Sequence, residues 1–384
     1  MGIIVQKYGG SSVADVEKLE RVAEKVANAK RGGDDVVVVV SAMGKSTDQL
    51  LALAKQIDPN PPRRELDMLL TTGERVSMAL LAMAIQKRGF EAISFTGSQS
   101  GIITNDRHFD ARIIEVKPHR IEDELARGKI VIVAGYQGMS YRREITTLGR
   151  GGSDTTAIAL AAALNASRAE IYSDVDGVYS ADPRVVSDAR HLEALDYETM
   201  QEMADVGAKV LNAAAVEFAK ARGIAIHARS TFVPGRETVV VASARASRSV
   251  VGQTGVCRLI AESPDSLAFA TATLSVAAVP MRDVALNGTR GSMTLSTGLT
   301  PDWLAVRDAL TRDDISLVEN LAAASVVGID ASHLGEFLRV AREIGVEPLS
   351  ISASGPRISM VVEATRLDDL VRALHTHFVA NQTV

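Results

Sequence analysis

The chain has 384 residues, a length that predicts two or three domains of about 150 residues and is ample for a buried core. Forty-two Lys and Arg against 47 Asp and Glu give a formal net charge of −5, which argues against non-specific binding of nucleic acid. The single cysteine excludes an intrachain disulfide and a cysteine-rich zinc site. We find no apolar run of the ~18 residues that a membrane helix needs and no signal-peptide pattern, so we expect a cytoplasmic protein with no membrane partner.

The first 230 or so residues alternate short β-like runs with longer helical patterns. Strands are predicted at Ile3–Lys7, Val36–Val40, Glu91–Phe95, Ile130–Ala134, Glu170–Ser173 and Ile224–His227. Helices are predicted at Asp15–Lys30, from about Thr47, at Arg64–Arg88 with a break near Thr71–Gly73, at Asp154–Leu164 and at Tyr197–Arg222. This alternation predicts a mostly parallel sheet with helices on both faces.

The composition changes after Thr231, and the remainder of the chain contains an internal repeat. Val233–Arg248, with a Pro-Gly pair and several serines, is predicted to be a crossing segment. Each copy of the repeat follows the order strand, helix, strand, turn, strand, helix, with Gly288-Thr289 and Gly355-Pro356 as the hairpin turns. We therefore expect domains at residues 1–232 and 251–384, joined by a linker at 233–250. The second region divides near residue 320 into modules of about 251–320 and 321–384.

A glycine-rich turn follows the first predicted strand in Lys7-Tyr8-Gly9-Gly10-Ser11-Ser12. Glycines allow close backbone approach and expose N–H groups to an anion, and a lysine supplies a mobile positive charge. The alternative is a plain turn beside a surface lysine.

The segment Gly44-Lys45-Ser46 resembles the end of a P-loop but is not one, because that pattern needs a glycine five residues before Gly44 and Val39 stands there. Ser41 and Thr47 are hydroxyls at the carboxyl end of a strand, where ligands bind in open α/β sheets.

A second glycine-rich segment, Leu148-Gly-Arg-Gly-Gly-Ser-Asp154, opens a predicted helix. It fails the dinucleotide fingerprint, but a glycine loop at a helix N-terminus is still an anion site, and Arg150 can form a fork with a carboxylate or phosphate. The alternative for Ser153 or Asp154 is an ordinary helix cap.

Two further segments carry acids and an aromatic ring. A strand is followed by the segment Ser173-Asp174-Val-Asp-Gly-Val-Tyr179. Its acids can hold a nucleotide or the Mg²⁺ of that nucleotide, and the ring of Tyr179 is available for stacking. The alternative is a hydrophilic loop with no binding role. Glu74, in Thr72-Gly-Glu-Arg75, either binds a substrate ammonium group or is exposed beside a kink. No histidine pattern predicts a zinc site or a nucleophilic triad, and His375 and His377 are expected in solvent.

Together these segments resemble the aspartate kinases of the amino-acid kinase fold over essentially the whole chain. The matching blocks, in family order, are Lys-Tyr-Gly-Gly-Ser-Ser, Thr-Gly-Glu-Arg, Leu-Gly-Arg-Gly-Gly-Ser-Asp, Asp-Val-Asp-Gly-Val-Tyr and Gly207-Ala-Lys-Val-Leu211. The resemblance implies an α/β protein: a three-layer αβα amino-acid kinase fold with a mostly parallel sheet, followed by two ferredoxin-like ACT modules. In this family one ACT module is inserted within the other, so we expect the last strand to return and complete the first module.

The resemblance also implies an activity, the transfer of the ATP γ-phosphoryl group to the β-carboxylate of L-aspartate, at the start of lysine, threonine and methionine biosynthesis. Mg²⁺ would arrive with the ATP rather than at a protein metal site. Lys7 would stabilise the transferring phosphoryl group and Asp154 would organise the reacting groups. Aspartate would be bound by Ser41, Thr47, Glu74, Tyr136, Arg150 and Ser153. The nucleotide would be bound by Lys7, Gly9, Gly10, Ser173, Asp174, Tyr179, Arg184 and Lys209.

The tail departs from the family pattern where an effector helix begins. Neither Glu262–Leu267 nor Ala331–Gly335 has the usual Pro-Gly pair, so we expect weak feedback by lysine or threonine, although an amino-acid effector stays open. We also expect a homodimer formed through the ACT region. Two alternatives stay open: a pathway-dedicated paralogue that phosphorylates another amino acid or acid, and a non-catalytic ACT-based amino-acid sensor.

Overall fold

The computed structural model describes residues 2–149, 151–300 and 302–381. The chain divides into two compact units. Unit 1 comprises Met1–Val178, His191–Gln201 and Lys209–Arg245, and unit 2 comprises Tyr179–Arg190, Glu202–Ala208 and Ala246–Val384.

Up to residue 245 the chain alternates strands and helices, as expected. The strands are β1 Ile3–Tyr8, β2 Asp35–Val40, β3 Ala92–Phe95, β4 Ile102–Thr104, β5 Ile113–Val116, β6 Ile130–Ala134, β7 Gln137–Ser140, β8 Ile145–Thr147, β9 Arg168–Ser173, β10 Val178–Tyr179, β11 His191–Leu192, β12 Ala194–Leu195, β13 Ile226–Ser230 and β14 Glu237–Val240. The helices are α1 Val16–Arg31, α2 Ser46–Ile57, α3 Arg63–Gln86, α4 His119–Ala126, α5 Gly152–Ala163, α6 Tyr197–Asp205 and α7 Ala213–Arg222.

An eight-stranded sheet forms the centre of unit 1, in the order β12-β14-β13-β9-β1-β2-β6-β3. Neighbours from β13 to β3 are parallel. The five valines of β2 explain why helices cover both faces, since successive side chains point to opposite sides. Val36, Val38 and Val40 pack in a core with side chains of α1 and α3, whereas α5 contacts β1, β2 and β9. A smaller sheet has the order β5-β4-β7-β8.

Three expectations for this region are wrong in detail. Helix α3 is continuous and has no break near Thr71–Gly73. Gly73 is needed for close packing instead, since a Cβ there would lie 2.8 Å from the Cβ of Ala42. The predicted helix Tyr197–Arg222 is two helices, separated by a segment in which Gly207 has a φ of +109°. The predicted linker at 233–250 contains β14, which pairs antiparallel with β13, and at its end the start of β15 (Ser249–Ala261).

Among the described residues, α3 is the helix that is long and apolar enough, by length and composition, to cross a membrane. More than half of its most apolar stretch is buried within the protein. Its inner face also carries two buried acids, Asp67 and Glu74, that accept hydrogen bonds from other segments. These features are those of a core helix.

Unit 2 contains one six-stranded antiparallel sheet in the order β16-β17-β15-β18-β20-β19. After β15 come β16 Met281–Asn287, β17 Arg290–Ser296, β18 Ile315–Val327, β19 Ser350–Ser354 and β20 Arg357–Glu363, with helices α8 Pro264–Val276, α9 Trp303–Ala309, α10 Leu334–Glu343 and α11 Leu367–His375. The two predicted hairpin turns are confirmed, since Asn287 pairs with Arg290 and Ser354 pairs with Arg357.

The sheet is shared by two ferredoxin-like modules with separate cores. Leu259 of β15 packs in one core with residues of α8 and α9, while Val250 of the same strand packs in the other with residues of α10 and α11. Strand β18 is divided in the same way. The modules are therefore interleaved, but the expected strand return is wrong: the first half of β15 completes the second module, and among the described residues no strand follows β20.

The expectation that His375 lies in solvent is also wrong. Its ring is fully buried in α11, and Nε2 lies 2.9 Å from the hydroxyl of Ser180, which belongs to the same unit. Two apolar neighbours of that serine, Ala181 and Val186, pack in the core of the second module.

Candidate active site

A buried ion pair joins the end of β1 to the start of α5. Lys7 Nζ lies 2.7 Å from Asp154 Oδ1, and both side chains are about nine-tenths buried, with 12% and 9% exposure. Lys7 is in register with Val39 of β2 and Ile171 of β9, so it lies near the carboxyl ends of three parallel strands. Ligands bind at this edge of open α/β sheets.

The glycine turn after β1 packs against the loop after β2. The amide of Gly9 donates to the carbonyl of Tyr172, and the amide of Gly44 donates to the carbonyl of Gly10. A Cβ on Gly10 would lie 2.9 Å from the carbonyl oxygen of Ala42, so a larger residue would push the two loops apart. Ser41, whose amide donates to Tyr8, is half-buried in this second loop, and Thr47 is half-buried in the first turn of α2.

The second glycine segment forms the N-terminal turn of α5. Gly149 and Gly151 have φ angles of +73° and +76°, a region that favours glycine. Ser153 is buried, and a Cβ on Gly135 would lie 2.8 Å from its hydroxyl. Tyr136, also buried, adopts a φ of +68°. Arg150, predicted to bind the substrate, lies outside the described residues.

Glu74 is the most unusual acid of the site. Its side chain is buried on α3; Oε1 accepts a hydrogen bond of 3.1 Å from the amide of Ala42, and Oε2 has no hydrogen-bond partner among the described residues. Burial raises the pKa of this carboxyl from its ordinary 4.5 to about 7. The alternative of an exposed glutamate at a kink is therefore wrong.

The predicted nucleotide residues fall in both units. Ser173, at the end of β9, and the exposed Asp174 belong to unit 1, as does the exposed Lys209. Tyr179 and Arg184 belong to unit 2. The guanidinium of Arg184 is exposed and donates two hydrogen bonds to the carboxylate of Asp182.

Sequence reasoning missed a fully buried carboxylate, Asp67. It accepts hydrogen bonds from Thr147 Oγ1 at 2.6 Å and from the amide of Phe109 at 3.1 Å, and it lies 2.7 Å from His108 Nδ1. Burial raises its pKa, and these hydrogen bonds oppose that rise. The sequence did hold a signal, because Asp67 precedes Glu74 by two helical turns and so shares its face.

Comparison with known proteins identifies the family of this site. The model of the amino acid kinase family matches residues 2–230. The aspartokinase of Mycolicibacterium smegmatis is 43% identical over 98% of this chain and 96% of its own length. The chain belongs to the aspartate kinases.

Solved structures of aspartate kinases have the same fold. E. coli aspartokinase III in complex with aspartate and ADP, in the R-state, matches 97% of this chain and 99% of its own, at 25% identity and a TM-score of 0.83. The same enzyme in complex with lysine and aspartate, in the T-state, matches 98% of this chain with a TM-score of 0.72 at 26% identity. The predicted fold class and family are thus confirmed, and the chain is a phosphotransferase rather than a non-catalytic sensor.

An aspartate kinase uses ATP with Mg²⁺, and the described residues bear on how that ion is held. They contain no group of three or more His, Cys, Asp or Glu side chains that could hold a metal. The glycine turns and the Lys7–Asp154 pair are instead suited to the phosphate groups of a nucleotide, because backbone N–H groups and a lysine bind phosphate oxygens. The described residues thus offer groups for the nucleotide phosphates, and the arrival of Mg²⁺ with ATP stays a prediction.

Proposed function

We propose that this chain phosphorylates L-aspartate at a centre built on Lys7 and Asp154. A β-carboxylate oxygen of aspartate attacks the γ-phosphorus of ATP, a new O–P bond forms, and the bond from that phosphorus to the bridging oxygen breaks. The products are 4-phospho-L-aspartate and ADP. A carboxylate is already a nucleophile, so no general base is needed, and positioning and charge neutralisation carry the rate. The observation that carries this proposal is the buried 2.7 Å ion pair between the two glycine turns.

In this arrangement Lys7 neutralises charge that develops on the transferring phosphoryl group. Its ammonium lies beside the turn of Gly9 and Gly10, since a Cβ on Gly9 would lie 3.5 Å from Lys7 Nζ. Asp154, in the first turn of α5, holds the lysine in place. The side chains proposed to complete nucleotide binding are Ser173, Asp174, Tyr179, Arg184 and Lys209.

Glu74 is proposed to bind the α-ammonium of aspartate. Its unpartnered Oε2 needs a donor, and an ammonium group supplies both the hydrogen bond and the opposite charge. Arg150 would fork onto the α-carboxylate. The remaining contacts are proposed for Ser41, Thr47, Tyr136 and Ser153.

The modules of unit 2 are proposed to form the homodimer and to hold any amino-acid effector. Lysine in the E. coli T-state structure supports an amino-acid effector for this chain. Each module has helices on one face of its sheet, and exposed apolar side chains such as Val284, Leu286 and Leu304 leave surface for a partner. Sedimentation at micromolar concentration tests this, and a monomer would contradict it. We place the enzyme in the cytoplasm, in keeping with the buried, unpaired Cys257.

The activity is tested by trapping the acyl phosphate with hydroxylamine, using ATP and a panel of acidic amino acids. We expect hydroxamate with L-aspartate and little with the other acids, and none from the Asp154→Asn variant. A product with another acid and none with aspartate would assign the chain to a dedicated paralogue and refute the proposed substrate.

A further inference from the structure

We propose that Asp67 is a positioning residue for the aspartate side of the active site. None of the sequence blocks that match the family contains Asp67. The inference deepens the proposed function and rests on its assignment of the glycine segment and Tyr136 to aspartate.

Asp67 joins three segments that are distant in sequence. The acid belongs to α3, Thr147 ends β8, and His108 and Phe109 lie in the loop between β4 and β5. A fully buried carboxylate is costly unless it is hydrogen-bonded, so the three donors hold it in one place and it holds them. Such a group fixes geometry more than it adds stability.

The first held segment leads directly into the glycine turn. Thr147 is followed by Leu148 and Gly149, and the carbonyl of Thr147 accepts a hydrogen bond from the amide of Ala111. The side chain of Asp110 also lies against this turn, since a Cβ at Gly149 would lie 3.2 Å from Asp110 Oδ1. The hydroxyl bond from Thr147 to Asp67 therefore fixes the start of the turn that ends at Ser153 and Asp154.

The second held segment supports Tyr136. The amide of Phe109 donates to both carboxylate oxygens of Asp67, while Phe109 adopts a φ of +72°. Its ring packs in a cluster with Leu66, Leu70 and Tyr136. The carbonyl of Tyr136 in turn accepts a hydrogen bond from the amide of Leu148, so both held segments contact Tyr136, one through its ring and the other through its backbone.

Two substitutions at Thr147 separate this role from simple stabilisation. Thr147→Val keeps the shape and removes the hydroxyl, whereas Thr147→Ser keeps the hydroxyl and is the conservative rescue. Losing a hydrogen bond to a charged group is worth at least about tenfold, so Thr147→Val should raise the KM for aspartate by that factor while the KM for ATP stays within about twofold. Thr147→Ser should behave like the wild type.

Asp67→Asn, which removes the charge, should shift the aspartate KM in the same direction, and Asp123→Asn, an exposed acid on α4, is the matched control. Hydrogen exchange of the amides at 148–153, measured without substrate, should rise in Thr147→Val and not in Thr147→Ser. If Asp67→Asn does not fold, the two threonine variants decide alone.

Three outcomes would overturn the positioning role. The first is an unchanged aspartate KM in Thr147→Val, and the second is an equal rise in the KM for ATP. The third is equal hydrogen exchange of the 148–153 amides in the two threonine variants. A wild-type enzyme that does not phosphorylate aspartate would refute the proposed function instead. The exchange measurement still tests whether Asp67 fixes the turn in that case.

Discussion

The amide of Ala42 and the carboxylate of Glu74, 32 residues apart in the chain, are joined by a buried hydrogen bond of 3.1 Å. That bond uses one carboxylate oxygen and fixes the direction of the other, which has no partner among the described residues. Glu74 is thus a pre-positioned acceptor whose charge is unfavourable until a cation arrives. Two predictions follow from that state.

The affinity for aspartate should depend on pH through Glu74. Because the pKa of this carboxyl is about 7, it is neutral below that pH and charged above it in the free enzyme. The KM for aspartate should therefore rise as the pH falls from 8 to 6, while the KM for ATP changes little. Glu74→Gln should raise the aspartate KM by about tenfold or more at pH 8 and flatten its pH profile. A Gln variant that keeps the wild-type profile would contradict the assignment.

The stability of the ligand-free enzyme should change with pH in the opposite direction to its affinity for aspartate: it should fall as the pH rises. A carboxyl whose pKa is raised in the folded state binds its proton more tightly there, so stability is lost as the pH rises from 4.5 to about 7. The shift corresponds to about 3 kcal/mol, as an order of magnitude. Chemical denaturation should show Glu74→Gln gaining stability over the wild type between pH 5 and pH 8. A difference that is constant across this range would argue against a raised pKa.

Removing the lysine of the central ion pair should abolish most turnover. Lys7→Ala should lower kcat by ~10²-fold or more, about 3 kcal/mol of transition-state stabilisation. The matched control is Lys87→Ala, which removes an exposed ion pair with Glu20 at the surface and should leave kcat unchanged. Turnover of Lys7→Ala within about threefold of the wild type would exclude its role as phosphoryl stabiliser.

The shared strand β15 offers a test of the interleaved modules. Val250→Ala and Leu259→Ala both truncate buried side chains of this strand, at a cost of about 2 kcal/mol or more. Hydrogen exchange should increase in α10 and α11 for the first variant and in α8 and α9 for the second. The reverse pattern, or equal effects in all four helices, would disprove the division of the strand.

Inhibition by lysine or threonine alone should be weak. The helix α8 caps its own N-terminus, because the amide of Ser266 donates to the hydroxyl of Ser263, and a Cβ on Gly291 would lie 2.8 Å from the side chain of Leu267. The amide of Ser266, which would otherwise be available to an effector's carboxylate, is thus already used. Activity titrated with each amino acid decides: half-inhibition below about 1 mM would show a working pocket.

The sequence allowed the fold class and the family to be predicted, for reasons visible in particular residues. The five valines of β2 are typical of a strand buried on both faces, and the glycine turns around Lys7 and Asp154 match sequence blocks of a known family in family order. Gly73 was misleading because a glycine chosen for a close contact with Ala42 looks the same as one that breaks a helix. Asp67 was missed because its partners lie 41, 42 and 80 residues away, and a single sequence does not reveal such pairing.

The strands β15 and β18, each of 13 residues, have a consequence for protein engineering. A chimaera that exchanges only one module with a relative must cut both strands in the middle, and each cut leaves one half without its hydrogen-bonded neighbours. The smallest continuous piece that keeps both strands whole begins before Ser249 and includes α11, and Tyr179–Arg190, which packs in the core of the second module, must be matched to it. A chimaera should accordingly acquire the feedback behaviour of a relative only when both modules are exchanged together. Changing the effector specificity of one module alone should begin from point substitutions.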